Sequence, residues 1–176
     1  MTGIIIIAIV VIAALWAVST ANGFKKKEIK IQESLSGIEV ALTKRYDLLT
    51  KLLDTAKGYM SHEKEVYSEV IRLRKGMSVG ELNEAEAQMS KMSGRLFAVA
   101  ESYPELKSGE VFRQLQAGIA DAEEHLQAAR RVYNANVAAY NTAIVMFPAS
   151  LLAGGRTAKE FFEAESHKRE DVKMSF

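Results

Sequence analysis

The amino-acid sequence predicts an all-α protein: an N-terminal transmembrane helix followed by an elongated antiparallel helical bundle. Three observations carry that expectation. Residues 3 to 24 contain no charged side chain. Beyond them the apolar residues recur at steps of three and four, a spacing that lines one side of a helix. Only Pro104 and Pro148 interrupt a chain rich in Ala, Glu, Leu and Lys, the composition of long helices rather than sheets.

The uncharged stretch comes first. At about 1.5 Å per residue it reaches roughly 33 Å, enough for a hydrocarbon core of about 30 Å. Its lipid-facing bulk is Ile4, Ile5, Ile6, Ile7, Ile9, Val10, Val11, Ile12, Leu15, Trp16 and Val18, with Phe24 at the edge. In water the β-branched run of residues 4 to 12 would favour a strand. In lipid every backbone group must bond internally, and a lone segment achieves that only as a helix. No Lys or Arg precedes the stretch, whereas Lys25, Lys26, Lys27 and Lys30 follow it. That asymmetry predicts a single-pass cell-membrane protein with its N-terminus outside and its bundle in the cytoplasm. The alternative is a cleaved signal peptide, suggested by the small residues Ser19 and Ala21, which would put the bundle outside the cytoplasm. Such peptides carry their positive charge ahead of the apolar run, so the anchor is the preferred expectation.

The expected organisation is an anchor over 1–25, a basic juxtamembrane segment over 26–34, a helical bundle over 35–165 and a tail over 166–176. The first bundle helix is marked by Leu35, Ile38, Leu42, Tyr46, Leu49, Leu53, Ala56 and Met60. Gly58 weakens its end, and Ser61 offers an N-cap for a continuation through Val66, Val70, Leu73 and Met77, so a kink or break is expected near 58–61. Gly76 and Gly80 punctuate the next boundary. Ser78 with Glu81 has the form of a capping box, in which each side chain satisfies a backbone N–H of the other's turn. The helix it opens carries Leu82, Ala85, Met89, Met92, Leu96, Val99 and Tyr103 until Pro104 ends it, and Tyr103 to Ser108 should reverse the chain.

The last long helix, over 110–147, has the most regular pattern: Phe112, Leu115, Ile119, Ala122, Leu126, Ala129, Tyr133, Asn136, Tyr140, Ala143 and Phe147. A period of 3.5 residues implies coiled-coil-like packing against other long helices. The same seam serves an intermolecular coil as readily as an intramolecular one, which leaves a homo-oligomer open. Asn136 stands in that seam beside a repeated Tyr-Asn dipeptide, Tyr133-Asn134 and Tyr140-Asn141. Tyr133, Asn136, Tyr140 and Asn141 are therefore a candidate polar core: an amide that fixes helix register, or a pocket for a small ligand. After Pro148 the pattern lapses into a loop at Gly154-Gly155. A short helix from Ala158 to Glu165 is expected to pack Phe161 and Phe162 across the bundle end.

Chemistry is harder to find. With 23 basic and 22 acidic residues the net charge is +1, which offers no excess to neutralise nucleic-acid phosphates. Cysteine is absent, so disulfides and thiolate chemistry are excluded. A carboxylate-bridged di-iron bundle needs Glu-x-x-His pairs, but Tyr59, Ala122 and Ala164 precede His62, His125 and His167 at that spacing. The run at His62 resembles a zinc-protease helix only until Val66, which stands where the second histidine must be. Gly154-Gly155-Arg156-Thr157 lacks the spacing of a phosphate-binding loop, and no nucleophile elbow occurs. No cofactor, metal site or catalytic residue is expected. The charged blocks Lys44-Arg45 with Asp47, His62 to Glu65, and Arg72 with Arg74-Lys75 read as solvated helix faces.

Four stretches resemble the LemA family of bacterial membrane-anchored helical-bundle proteins: 42 to 65 (LTKRYDLLTKLLDTAKGYMSHEKE), 94 to 116 (GRLFAVAESYPELKSGEVFRQLQ), 129 to 154 (ARRVYNANVAAYNTAIVMFPASLLAG) and 161 to 165 (FFEAE). The Tyr-Asn repeat leading to Phe147-Pro148 is the most specific of them. Two departures stand out. The family usually has a proline where Thr50 stands, which predicts a straighter first helix here, and a Gly-Phe-Lys stretch near 155 to 158 is missing. The resemblance implies the architecture and supplies no catalytic residue.

Taken together, these features predict a membrane-tethered scaffold or interaction protein that is not an enzyme. Its expected partners are the lipid bilayer and an unidentified membrane or envelope protein. A small-ligand binder or enzyme built on the pocket near Asn136 is the alternative.

Overall fold

A computed structural model describes residues 1–59, 73 and 76–162. Four α-helices account for most of them: α1 (Thr2–Ala56), α2 (Val79–Ser102), α3 (Pro104–Ser108) and α4 (Glu110–Val145). No strand occurs among the described residues. Thr50 lies within α1, where its hydroxyl donates to Tyr46 O at 2.9 Å and the helix runs on unbroken. The α-helix stops at Ala56, and a 3-10 turn over Lys57–Tyr59 follows, close to where Gly58 weakens the pattern. Ser61, Val66, Val70 and the charged blocks at 62–65 and at Arg72, Arg74 and Lys75 lie outside the described residues.

The contacts divide the chain into two compact units, one formed by 1–35 with 131–161 and the other by 36–130 with 162–176. In the second unit α4 runs antiparallel to α1. Lys44 pairs with Asp121, while Leu48, a turn further on, reaches back to Gly118. α4 is also antiparallel to α2, where Arg130 pairs with Glu86 and Phe112 meets Phe97 edge-on. α1 and α2 are therefore parallel, as Arg45 beside Ser90 and Tyr59 against Tyr103 also show.

The core of this unit follows the predicted seam in α2, but in α1 it is turned by one residue at two places, with Arg45 and Leu52 buried where the spacing predicts Tyr46 and Leu53. Ile38, Leu42, Leu49, Leu52 and Ala56 of α1 are fully buried, and Leu82, Met89, Leu96, Ala122 and Leu126 answer them from α2 and α4. Each large side chain contributes on the order of 1.5–3 kcal/mol by leaving water. The capping box forms as expected: Glu81 N–H donates to Ser78 Oγ at 3.2 Å and Ser78 N–H donates to Glu81 Oε2 at 2.7 Å. Tyr103 is a helix terminus with 42% of its surface exposed rather than a seam residue, because Pro104 opens α3 directly after it.

In the first unit α4 is again antiparallel to α1. The packed face of α1 starts earlier than Leu35, at Phe24 and Ile31, both buried. Tyr133, Val137, Tyr140 and Ile144 face it from α4. The expected end of the seam is corrected here: α4 stops at Val145, and Phe147 stands outside the helix with 79% of its surface exposed. Gly155 turns the chain at φ +73°, a left-handed conformation that glycine adopts without steric cost.

The helix expected from Ala158 is also corrected, for 158–162 has no helical structure. The backbone there is engaged sideways by α4 instead of by its own turns. Glu163 to Glu165 lie outside the described residues.

Candidate functional site

Among the described residues, the densest collection of buried charge lies in the second unit. Arg45 of α1 is 5% exposed and Glu86 of α2 is 2% exposed. Arg45 Nη1 sits 2.9 Å from Glu123 Oε2 and 3.9 Å from Glu86 Oε1, and its Nη2 donates to Ser90 Oγ at 3.0 Å. Glu86 is paired on its other side with Arg130 of α4, whose guanidinium also covers the ring of buried Phe162 at 5.0 Å. Two cations and two carboxylates thus alternate across three helices. Such a set is held in place because removing any one member strands a buried charge.

This corrects the reading of Lys44-Arg45 as a solvated face. Lys44 and Asp47 are exposed, but Arg45 is turned inward. It occupies a place in the sequence Ile38, Leu42, Arg45, Leu49, Leu52, all buried, just as Glu86 falls among Leu82, Met89 and Leu96. A four-three alternation running through each charged residue is the signal that could have found them.

A cleft of about 320 Å³ opens beside the cluster, lined by Arg45, Ser90, Ser93, Phe97, Ile119 and Glu123. Nε of Arg45 is buried and has no hydrogen-bond acceptor among the described residues. Because the four ionic groups balance, the cleft presents no net charge to an ionic ligand. Nearby, the hydrogen bond from Lys44 at 2.6 Å holds the exposed Asp121 carboxyl below its usual range.

The candidate polar core lies entirely in the first unit, where its side chains are occupied by the protein. Asn136 Nδ2 donates to Lys30 O at 3.3 Å and to Ser34 Oγ at 3.2 Å. Tyr140 Oη donates to Glu28 Oε1 at 3.4 Å, and Arg156 Nε approaches the same carboxylate at 3.6 Å. Tyr133 Oη donates to Glu160 O at 3.0 Å. Asn141 binds the backbone of Lys159 with both ends of its amide, at 2.9 and 2.8 Å. Burial pushes both phenols up from their ordinary value, with the charge of Glu160 adding at Tyr133 and that of Glu28 at Tyr140. The Tyr-Asn repeat therefore fastens the chain that follows α4, a role its sequence does not announce.

Ile4 through Val18 of the apolar stretch, Trp16 included, are exposed large side chains on α1, and the helix carries one candidate membrane span by length and composition. Lys25 and Lys26 are exposed and Lys27 is half-buried. Phe24 is corrected from lipid-facing to buried, with the Arg156 guanidinium 4.9 Å above its ring. His125 is exposed and bonds its own helix through Nδ1 and Asp121 O at 2.8 Å, while His62 and His167 lie outside the described residues. Among the described residues no group of three His, Cys, Asp or Glu side chains is placed to hold a metal ion.

Comparison with known proteins agrees with this architecture. The chain is 27% identical over 165 residues to Protein LemA of Metamycoplasma hominis, covering 90% of this chain and 75% of the relative. It is 24% identical over 162 residues to magnetosome protein MamQ of Magnetospirillum gryphiswaldense, covering 75% of this chain and 60% of the relative. Over a shorter stretch of 81 residues it is 30% identical to magnetosome protein MamQ 2 of Paramagnetospirillum magneticum, covering 45% and 30% of the two chains. The model of the LemA family matches residues 34–176, and with its helical bundle and N-terminal apolar helix the chain belongs to that family.

Proposed function

We propose that the protein is a single-pass, membrane-tethered helical scaffold of the cell envelope, whose bundle lies on the cytoplasmic side and engages a membrane or envelope protein. The observation that supports this most is α1 itself. One unbroken helix bears an apolar stretch long enough for a bilayer and then the packed seam of both units. The buried ionic side chains join helices to one another, which suits a rigid support.

Crosslinking of the full-length chain in cells, followed by purification in mild detergent, is expected to recover a reproducible envelope protein. Recovery of nothing above background would overturn the scaffold. Protease added to spheroplasts should leave the bundle intact, and its digestion there would reverse the orientation.

A second reading, a small polar ligand held between helices, is supported by the cleft and by the unmatched Arg45 Nε. Small neutral hydrogen-bond acceptors such as amides should then raise the thermal transition saturably, and an unmoved transition across the series removes that reading.

A further inference from the structure

Residues 1–35 and 131–161 form one compact unit. There α4 passes α1 in a defined register, with Asn136 at Lys30 and Ser34 and, one turn on, Tyr140 at Glu28. Continuing that register to the end of α4 sets Val145 level with Gly23. The burial of α1 points independently to the same alignment. Residues 1–16 are exposed throughout, whereas Ala17, Thr20 and Gly23 are partly covered and Phe24 is buried, on one face of the helix. The chain that follows α4 therefore lies beside the last turns of the uncharged stretch.

That chain is apolar and uncovered. Val145, Met146, Phe147 and Leu151 are 71%, 58%, 79% and 70% exposed. No charged residue occurs anywhere from Val132 to Gly155. In water such a cluster would be a liability, since monomeric proteins seldom leave contiguous apolar patches uncovered without a partner. Charge returns one step further into the unit, at Lys25, Lys26 and Lys27 of α1 and at Arg156, which is fixed over Phe24 and against Glu28. Apolar side chains on one level and basic side chains on the next match the order of acyl chains and phosphates at a membrane surface.

We propose that the segment from Val145 to Leu152 is a membrane-docking loop that inserts into the boundary between headgroups and acyl chains beside α1, with Lys25, Lys26 and Arg156 facing the phosphates. The proposal rests on α1 spanning the bilayer. It adds a second point of attachment, which restrains how the first unit tilts on its anchor.

Fluorescence quenching separates the two claims, because Trp16 is the chain's single tryptophan. The full-length protein is placed in vesicles of phosphatidylcholine and phosphatidylglycerol, with lipid brominated either near the headgroup or near the chain end. The native indole reports the anchor. A W16F/F147W variant reports the loop, and its indole should lose about half its intensity to lipid brominated near the headgroup and less to lipid brominated near the chain end, with emission blue-shifted from that of water. A W16F/V132W variant, about 20 Å back along α4 from its end at Val145, should be unquenched. Quenching of Trp16 without quenching of the F147W indole overturns the docking loop and leaves the anchor standing. Equal quenching of F147W and V132W overturns it as well, by showing adsorption without a defined level. An unquenched Trp16 overturns the anchor and the loop together.

Discussion

Asn141 holds the backbone of Lys159 as a neighbouring strand would: its Nδ2 donates to Lys159 O at 2.9 Å while its Oδ1 accepts the Lys159 N–H at 2.8 Å. A side-chain amide has one donor edge and one acceptor edge, so it satisfies both backbone groups of a single residue. Those groups are then unavailable to helical turns, which explains why 158–162 stays irregular although its composition suits a helix. With Tyr133 fixing Glu160 O one residue further on, the two members of the Tyr-Asn repeat act on adjacent peptides.

Asn141→Ala removes both bonds. The expected loss is about 1–2 kcal/mol locally, because each net hydrogen bond is worth roughly 0.5–1.5 kcal/mol. The visible effect should be faster tryptic cleavage after Lys159, followed by mass spectrometry under native conditions. Unchanged cleavage would mean that the amide does not hold the segment in place.

Glu86→Gln tests the buried charge cluster. The substitution keeps the shape of the side chain but leaves Arg45 and Arg130 short of a counter-charge, so stability should fall by about 3–5 kcal/mol. Asp121→Asn, at an exposed pair with Lys44, should leave the unfolding midpoint within error because solvent screens it. Urea denaturation followed by circular dichroism compares the two. Equal effects would contradict the distinction between buried and surface pairs.

The contrast between these pairs also shows what the sequence could reveal. Leu82, Met89, Leu96, Phe112, Ile119 and Leu126 were legible, because apolar residues at that spacing form a stripe that a helix must hide from water. Arg45 and Glu86 were not, since a charged residue on a solvated face and one balanced inside a core look alike until their partners on other helices are known. Phe24 was misread for a similar reason: an aromatic at the edge of an apolar stretch suits lipid equally well, and Arg156, which covers it, lies far away in the chain. The capping box was fully legible, since all of its chemistry lies within four residues.

Alkaline pH should loosen the first unit. The folded phenols of Tyr133 and Tyr140 are raised above the ordinary value of 10.0, chiefly by burial. Below that pH both are protonated in the folded and unfolded chains, and their stabilisation is complete. Above it the unfolded chain releases its protons more readily, so stability declines until the folded phenols ionise too. The urea midpoint should therefore drop as the pH rises past 10.0. Y133F/Y140F should flatten that drop, and an equally steep drop in the double variant would assign it to other groups.

Two glycines probe helix packing in the second unit. A Cβ at Gly94, on the exposed side of α2, meets no atom within 4 Å, so Gly94→Ala gains helix propensity without a clash. Its expected effect is a stabilisation of about 0.5–1 kcal/mol. At Gly118 of α4 the same Cβ would lie 3.3 Å from Leu48 Cδ2 and 3.4 Å from Cδ1, on the facing α1. The propensity gain is then offset by displacement of Leu48, and Gly118→Ala should come out near neutral. The difference between the two midpoints isolates the close approach of α1 and α4. Pairing Gly118→Ala with Leu48→Ala relieves the crowding and should make the two effects non-additive, as expected for residues in contact. Strict additivity would show that Leu48 does not rest on Gly118 in solution.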